Sequence, residues 1–245
     1  MTPSPMLELK LPTLHELPTY VFDTLLSWNI PGLNRSLVGL YGRPDGWLGR
    51  LIGHVMSFEH GPVTQWTLEQ MDIQPDDRVL DVGCGAGKAL EFLAHLASRG
   101  SVVGLDHSET MVFQALSRNR ARVLTGQLSV RMGDVGHMPF ADASFDKVCA
   151  IETLYFWPDP KAAFEEIHRV LVPGGRVAIS LEYTRDASRS GDLSDTLESS
   201  AGVRVYSSAE VVGMLDAAGF TELRLEAQPT RSNGWLYVEG RKPGH

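Results

Sequence analysis

The sequence predicts an α/β fold in which a doubly wound, mostly parallel sheet of seven strands ends on an antiparallel strand and carries an N-terminal helical cap. Three observations support this fold class. Short apolar runs alternate with helical patterns from Arg78 onward, a glycine-rich turn follows the first run, and a turn joins the last two runs. With 245 residues, 43% of them hydrophobic, the chain can bury one such domain with an elaboration.

Apolar runs bounded by turn residues define the predicted strands. In chain order they are Arg78–Val82, Ser101–Leu105, Leu128–Met132, Phe145–Ile151, Arg176–Glu182, Glu222–Ala227 and Trp235–Gly240. Helical periodicity fills the connections at Lys88–Ser98, Glu109–Leu124 and Pro160–Leu171, whereas 133–144 is mostly loop. Helical connections imply right-handed crossovers between parallel strands, so the first five strands are predicted to be parallel.

The end of the chain departs from this alternation. Ser207 and Glu210 have the spacing of a capping box, so a helix is predicted to begin there and to end at Gly219. Only the polar turn region 230–234 separates the two strands that follow. Because a hairpin reverses the chain direction, the last strand is predicted to be antiparallel.

The residues before the first strand have helical patterns rich in aromatic residues. Tyr20–Trp28, Gly46–Phe58 and Pro62–Met71 show helical periodicity, and this region holds three of the five tryptophans. We predict three parts of the chain: a loosely ordered tail at 1–18, a helical cap at 19–75 that contributes to a substrate pocket, and a ligand-binding domain at 76–245.

Composition argues against several classes of partner. The formal net charge is −8, with 22 Lys and Arg against 30 Asp and Glu, so a nucleic-acid partner is not expected. No apolar stretch reaches the roughly 18 residues of a membrane span, and the N-terminus does not resemble a secretory signal. Cys84 and Cys149 match no CxxC spacing, which favours free thiols and a cytoplasmic location. A monomer or a homodimer is expected.

The stretch VLDVGCGAGKALEF places Gly83, Gly85 and Gly87 directly after the first strand. In an open parallel sheet, ligands bind beyond the carboxyl ends of the strands, and glycine lets the backbone approach a ligand closely. The spacing does not fit the dinucleotide pattern GxGxxG. It also fails the phosphate-binding pattern GxxxxGK[ST], because Val82 and Ala89 replace the first glycine and the hydroxyl residue.

Four motifs in order resemble the class I S-adenosylmethionine-dependent methyltransferases, with a core similar to ubiquinone and menaquinone methyltransferases. They are DVGCGAG from Asp81, VVGLDHSETM around Asp106, MGDVGHMPFADASFDKV around Asp134, and HRVLVPGGRVAIS. The segment YGRPDGWLGRLIGHVM, with WTLE and FWPDP, is also similar to a group of bacterial small-molecule methyltransferases.

The resemblance implies a Rossmann-like methyltransferase fold that binds S-adenosylmethionine and releases S-adenosylhomocysteine. It implies that Asp106 accepts from the ribose hydroxyls and that Asp134 and Val135 lie at the adenine. The full set of implied cofactor-binding residues is Asp81, Gly83, Cys84, Gly85, Gly87, Asp106, His107, Met111, Gly133, Asp134, Val135, Ile151 and Glu152. Charge chemistry agrees, because this donor carries an ammonium and a sulfonium and no phosphate.

Methyl transfer to a small organic acceptor at O, N, S or C is the function that the resemblance implies. Alignment of the nucleophile can supply about 7–11 kcal/mol of the barrier, whereas a general base contributes roughly 3–5 kcal/mol. The candidate catalytic residues are Glu152 and Tyr155 after the fourth strand and Tyr41 in the cap, and His54 and His60 are further possible bases. No metal site is predicted, because the eight histidines are scattered.

Two alternatives stay open at this point. The chain could be a non-catalytic S-adenosylmethionine-binding regulatory or partner module, or it could methylate protein or tRNA. Release of S-adenosylhomocysteine in the presence of a metabolite pool separates the enzyme from the binding module.

Overall fold

A computed structural model describes residues 60–186, 203–228 and 234–244, together with the separate positions 36, 38, 39, 42, 46, 195, 198 and 199. The predicted tail, Tyr41, His54 and the predicted helix Tyr20–Trp28 lie outside the described residues, as does all of Gly46–Phe58 except its first residue. The proposed division of the chain into tail, cap and domain therefore stays a prediction.

Seven strands form one sheet in the order β3-β2-β1-β4-β5-β7-β6. They are β1 Arg78–Val82, β2 Ser101–Asp106, β3 Leu128–Met132, β4 Phe145–Ile151, β5 Leu171–Leu181, β6 Thr221–Gln228 and β7 Trp235–Arg241. The first five strands pair in parallel, and β7 runs antiparallel to both of its neighbours, β5 and β6. The predicted fold class is confirmed, and the strand order reverses between β1 and β4, where such sheets bind ligands.

The helices cover both faces of this sheet. They are α1 Gly61–Gln70, α2 Lys88–Leu96, α3 Glu109–Arg118, α4 Arg120–Leu124, α5 Pro160–Val170 and α6 Ser208–Ala217, with a short 3-10 helix at Leu154–Phe156. Sequence-encoded caps explain where some of them begin. The predicted capping box of Ser207 and Glu210 is present, and Asp159 accepts from the first backbone N–H groups of α5. Within the described residues, none of these helices has the length and apolar character to cross a bilayer.

The continuous helix predicted at Glu109–Leu124 is wrong, because Asn119 divides it into α3 and α4. The buried Asn119 side chain donates from Nδ2 to the carbonyls of Gly87 and Ala115, both at 3.0 Å. Periodicity continues through this position, so only the tertiary contact with the glycine turn marks the break. The strand predicted at Arg176–Glu182 also begins earlier, at Leu171.

Alternating residues of the central strands feed two separate cores. Leu80 and Val82 of β1 pack in the core beneath α5 and α6, whereas Val79 packs in the core beneath α1, α2 and α3. Asp81 lies on the same face of β1 as Val79, so its carboxylate sits at the edge of the second core beside Cys149. The second core thus holds a buried acid directly below the glycine turn.

Candidate cofactor and active site

A cavity of about 340 Å³ lies beyond the carboxyl ends of β1, β2 and β4, where the strand order reverses. Its lining residues come from the glycine turn, from the ends of β2 and β3, from the 3-10 helix and from the N-terminal segment. They are Gly42, Val82, Gly83, Gly85, Leu105, Asp106, His107, Met111, Gly133, Asp134, Val135, Glu152, Thr153, Phe156, Trp157 and Pro158. Most of the residues predicted to bind the cofactor therefore come together.

The glycine turn leaves space on one side and is tightly packed on the other. Gly83 and Gly85 have φ values of +73° and +51°, which glycine adopts without strain. A Cβ at Gly83 would lie 2.2 Å from the Thr153 hydroxyl oxygen, whereas a Cβ at Gly85 would meet no described atom within 4 Å. The open space beside Gly85 is the cavity itself, as the close-approach argument requires.

Asp106 connects the end of β2 to the glycine turn. Its Oδ2 accepts from the Gly85 backbone N–H at 2.8 Å, and its Oδ1 accepts from the Ser108 N–H at 2.9 Å. The residue is only 8% exposed, and burial raises the pKa of its carboxyl above the usual value. Each carboxylate oxygen retains further acceptor capacity, so the group can receive two neighbouring hydroxyls of a sugar.

The residues predicted at the adenine lie on an exposed loop after β3. Asp134 accepts from the Gly136 N–H at 2.7 Å through Oδ1, which shapes the turn. Arg169 of α5 ties this loop down, because its guanidinium donates to the carbonyls of Phe140 and Met138 at 2.8 and 3.2 Å. A helix on one face of the sheet therefore holds this loop, and the sequence motif did not reveal that contact.

A smaller cavity of about 90 Å³ also borders the glycine turn. It is lined by His60, Thr64, Asp81, Gly83, Cys84, Gly85, Ala86, Lys88, Ala89, Met111, Ile151 and Glu152. Cys84 and Cys149 are free, buried thiols. The two cavities share Gly83, Gly85, Met111 and Glu152, so one extended ligand can occupy both.

Asp81 is the buried acid of the smaller cavity. Its Oδ1 accepts from the Cys149 thiol at 3.5 Å, and its Oδ2 is buried without a hydrogen-bond partner among the described residues. Burial, more than the charge of Asp106, raises the pKa of Asp81 to about 7. An orphaned carboxylate oxygen of this kind suits a positively charged ligand group.

Glu152, the first residue after β4, lies beside a carboxylate and a histidine that sequence reasoning did not bring together with it. Its backbone has a φ of +59°, and the Glu182 N–H donates to its Oε1. Glu182 in turn places Oε2 3.0 Å from His60 Nδ1. Burial and then the Glu182 charge raise the pKa of Glu152 to about 8. Since β4 and β5 are parallel neighbours, the available signal was the acid that follows the predicted fourth strand together with the acid that ends the predicted fifth strand.

The remaining catalytic candidates are placed differently. The Tyr155 hydroxyl accepts from the Tyr183 N–H at 2.9 Å and donates to the Tyr183 carbonyl at 3.2 Å, and Tyr155 lines neither cavity. Tyr41 lies outside the described residues, but its neighbour Gly42 lines the larger cavity. A Cβ at Gly42 would lie 2.8 Å from the Phe156 ring, so Gly42 packs against the cavity wall.

The fold and the cavity define a Rossmann-like protein that receives a nucleoside at the switch point of its sheet. The orphaned Asp81 oxygen, the Asp106 carboxylate and the open space at Gly85 fit a ligand with a cationic group and a sugar diol. Comparison with known proteins identifies the family. Residues 80–179 match the methyltransferase domain family.

Methyltransferase GfsG of Streptomyces halstedii is 38% identical over 118 residues, which are 48% of this chain and 42% of GfsG. The chain thus spans less than half the length of this relative. The uncharacterized methyltransferase YdaC of Bacillus subtilis is 25% identical over 195 residues, which are 79% of this chain and 98% of YdaC.

A similar solved structure is a chain of the complex between the Haloferax volcanii Trm112 methyltransferase activator and a methyltransferase. It has a TM-score of 0.65 and 27% identity, and the match covers 80% of this chain and 95% of that one. Residues 80–179 thus form a methyltransferase domain of the class I S-adenosylmethionine-dependent type, and its cofactor is S-adenosylmethionine. The predicted family and cofactor are confirmed.

Proposed function

We propose that this protein transfers the methyl group of S-adenosylmethionine to a small organic acceptor at O, N, S or C. The observation that carries the proposal is the Asp106–Gly85 pair. A buried carboxylate with spare acceptor capacity is fixed by a backbone N–H to the glycine that faces open space. This pair can hold a sugar diol and let the rest of a nucleoside lie against the turn.

In this proposal the cofactor-binding residues divide between the two cavities. Asp106 holds the ribose, while Gly133, Asp134, Val135, His107 and Met111 surround the base in the larger cavity. Asp81, Cys84, Ile151 and Glu152, with Gly83, Gly85 and the start of α2 after Gly87, surround the amino-acid end in the smaller one. The bound cofactor supplies an electrophilic methyl group on a sulfonium.

The role of the protein is to align the acceptor and to exclude water. In-line displacement forms a bond from the acceptor atom to the methyl carbon and breaks the carbon–sulfur bond, whose electron pair stays on sulfur. Alignment can supply about 7–11 kcal/mol, so the reaction does not require a base. Phe156 and Trp157 wall the larger cavity, and Glu152 lines both cavities at the point where they meet. Catalytic roles for Glu152, Tyr155 and Tyr41 remain proposals.

A small acceptor is supported by the size and charge of the site. A cavity of about 340 Å³ that also holds a nucleoside leaves little room for a macromolecular acceptor. The net charge of −8 disfavours tRNA, whose phosphates would be repelled. We also propose, on sequence grounds, a cytoplasmic protein that acts as a monomer or a homodimer.

The test is calorimetric titration of S-adenosylmethionine into the Asp106→Ala variant. Loss of a buried, charged acceptor costs about 1.5–3 kcal/mol, so binding should weaken by more than tenfold. The control is Asp146→Ala, because Asp146 also accepts from a backbone N–H, that of Arg78 at 2.8 Å, but lies at the opposite end of β4. Equal affinities in both variants would show that the ribose lies elsewhere.

A second measurement separates the enzyme from a binding module. The protein is incubated with S-adenosylmethionine and a metabolite extract, and S-adenosylhomocysteine is quantified by mass spectrometry. Release above the level given by Asp106→Ala supports methyl transfer. Tight binding of S-adenosylmethionine without release of S-adenosylhomocysteine in any extract would favour a non-catalytic role.

A further inference from the structure

Three potential metal ligands meet where the carboxyl ends of β4 and β5 face the start of α1. Glu152 follows β4, Glu182 follows β5, and His60 directly precedes α1. Ile151 lies opposite Ser180 in the parallel ladder, so the residues just beyond the two strands are neighbours. The ligand-type atoms of the three side chains all lie within 4.8 Å of one another.

Two of these atoms, on His60 and Glu182, are spaced as neighbouring ligands of one metal ion would be. With metal–ligand bonds of about 2.1 Å, adjacent ligands of an octahedral ion lie about 3.0 Å apart and opposite ligands about 4.2 Å apart. His60 Nδ1 and Glu182 Oε2 are 3.0 Å apart. The Glu182 N–H donates to Glu152 Oε1, which orients that carboxylate.

The acidic side chains in and beside the smaller cavity can accept more than one cation. Asp81 and Glu182 are 2% and 7% exposed, and Asp81 Oδ2 has no hydrogen-bond partner among the described residues. Lys88 also lines this cavity, but its ammonium pairs with Glu91 at 2.9 Å. Together with Glu152, Asp81 and Glu182 make three acidic side chains at this place. The ammonium of the donor would neutralise one of these acids, and a divalent ion would neutralise the other two.

We propose that His60, Glu152 and Glu182 bind one divalent metal ion whose open coordination positions face the cavity. One imidazole and two carboxylates suit Mn²⁺ or Zn²⁺. An ion at this place would hold an oxygen atom of the acceptor beside the donor. Only this second role rests on the proposed methyl transfer, since ion binding is independent of it.

The test uses the full chain, freed of metal by dialysis against a chelator and titrated with MnCl₂. Free Mn²⁺ is followed by electron paramagnetic resonance. One ion per chain is expected, and both Glu182→Gln and His60→Asn should weaken binding at least tenfold. Glu165→Gln is the matched control, because Glu165 is an exposed carboxylate on α5 that pairs with Lys161. His60 is partly exposed, so His60→Asn keeps the test valid if the buried Glu182 variant does not fold.

Three results would overturn the proposal: no binding of Mn²⁺ or Zn²⁺, binding undiminished in both variants, or one-for-one displacement of the ion by S-adenosylmethionine. Such displacement would show that His60, Glu152 and Glu182 bind the ammonium of the donor and not a metal ion. Donor affinity is measured in parallel by calorimetry on the metal-free protein. Loss of donor binding there would refute the proposed function and would leave the metal result unaffected.

Discussion

Asp81 should make the stability of the donor-free protein depend on pH. Its carboxyl is buried, and its pKa is raised from 3.8 to about 7. The unfolded chain loses this proton near pH 4, whereas the folded protein keeps it until about pH 7. The unfolded state therefore binds fewer protons between these values, and the free energy of unfolding falls as the pH rises through this window. A difference of about three between the folded and unfolded pKa values corresponds to about 4 kcal/mol in the free energy of unfolding.

The substitution Asp81→Asn removes this titration. Asparagine retains an oxygen that can accept from the Cys149 thiol. Its amide N–H groups would lack partners at the position of Oδ2, which costs about 1–3 kcal/mol at every pH. The informative quantity is thus the pH dependence of the difference between variant and parent. From pH 4.5 to pH 8, the variant should gain about 3 kcal/mol relative to the parent.

Urea unfolding at half-unit steps of pH and constant ionic strength measures this difference. Asp146→Asn is a control of opposite sign. Burial acts to raise the pKa of Asp146, but the hydrogen bonds and the charge of Arg78 together outweigh it and hold this pKa below the usual value. The stability that Asp146 contributes is present above the unfolded pKa and is lost as the pH falls. Asp146→Asn should therefore be less stable than the parent at neutral pH, and this difference should disappear in acid. A constant difference between Asp81→Asn and the parent across the range would refute the argument from burial.

Two further substitutions test how the site is built. Gly85→Ala should abolish donor binding in calorimetry while unfolding stays cooperative. The control is Gly126→Ala, also at positive φ with no described atom nearby, which should cost similar stability and leave binding intact. Equal binding by both variants would refute the close-approach argument. Arg169→Ala should release the loop held at Met138 and Phe140, raise its amide hydrogen exchange and weaken donor binding several-fold. Unchanged exchange in that loop would show that other contacts hold it.

Most of the fold could be predicted from local patterns. The boundaries of β1, β3 and β4 agree with the predicted strands, and the capping box of Ser207 and Glu210 is present. These features depend on residues that are close in sequence, because the alternation of side chains along a strand and the hydrogen bonds of a helix cap involve only a few adjacent positions. The break at Asn119 could not be predicted, because its side chain bonds to Gly87, which is distant in sequence.

The candidate site divides in the same way. The glycine turn and Asp106 could be predicted from motifs whose residues are expected to contact the ligand directly. Glu182 could not be assigned to the site, and His60 was only one of several possible bases. Their meeting with Glu152 depends on β4 lying beside β5 and on α1 packing over both strands. Tyr155 looked available for chemistry until its hydroxyl was found bonded to the Tyr183 backbone.

The sequence by itself determined the sheet, the helices, the family and the type of cofactor, because periodicity, capping and a short glycine motif act over a few adjacent residues. Tertiary structure alone decided that Asp81 would be a buried acid with an orphaned oxygen and that two glutamates and a histidine would meet beside one small cavity. Burial and long-range contact set the charge state of such groups, since removing water and adding a neighbouring charge change a carboxyl far more than its sequence neighbours do.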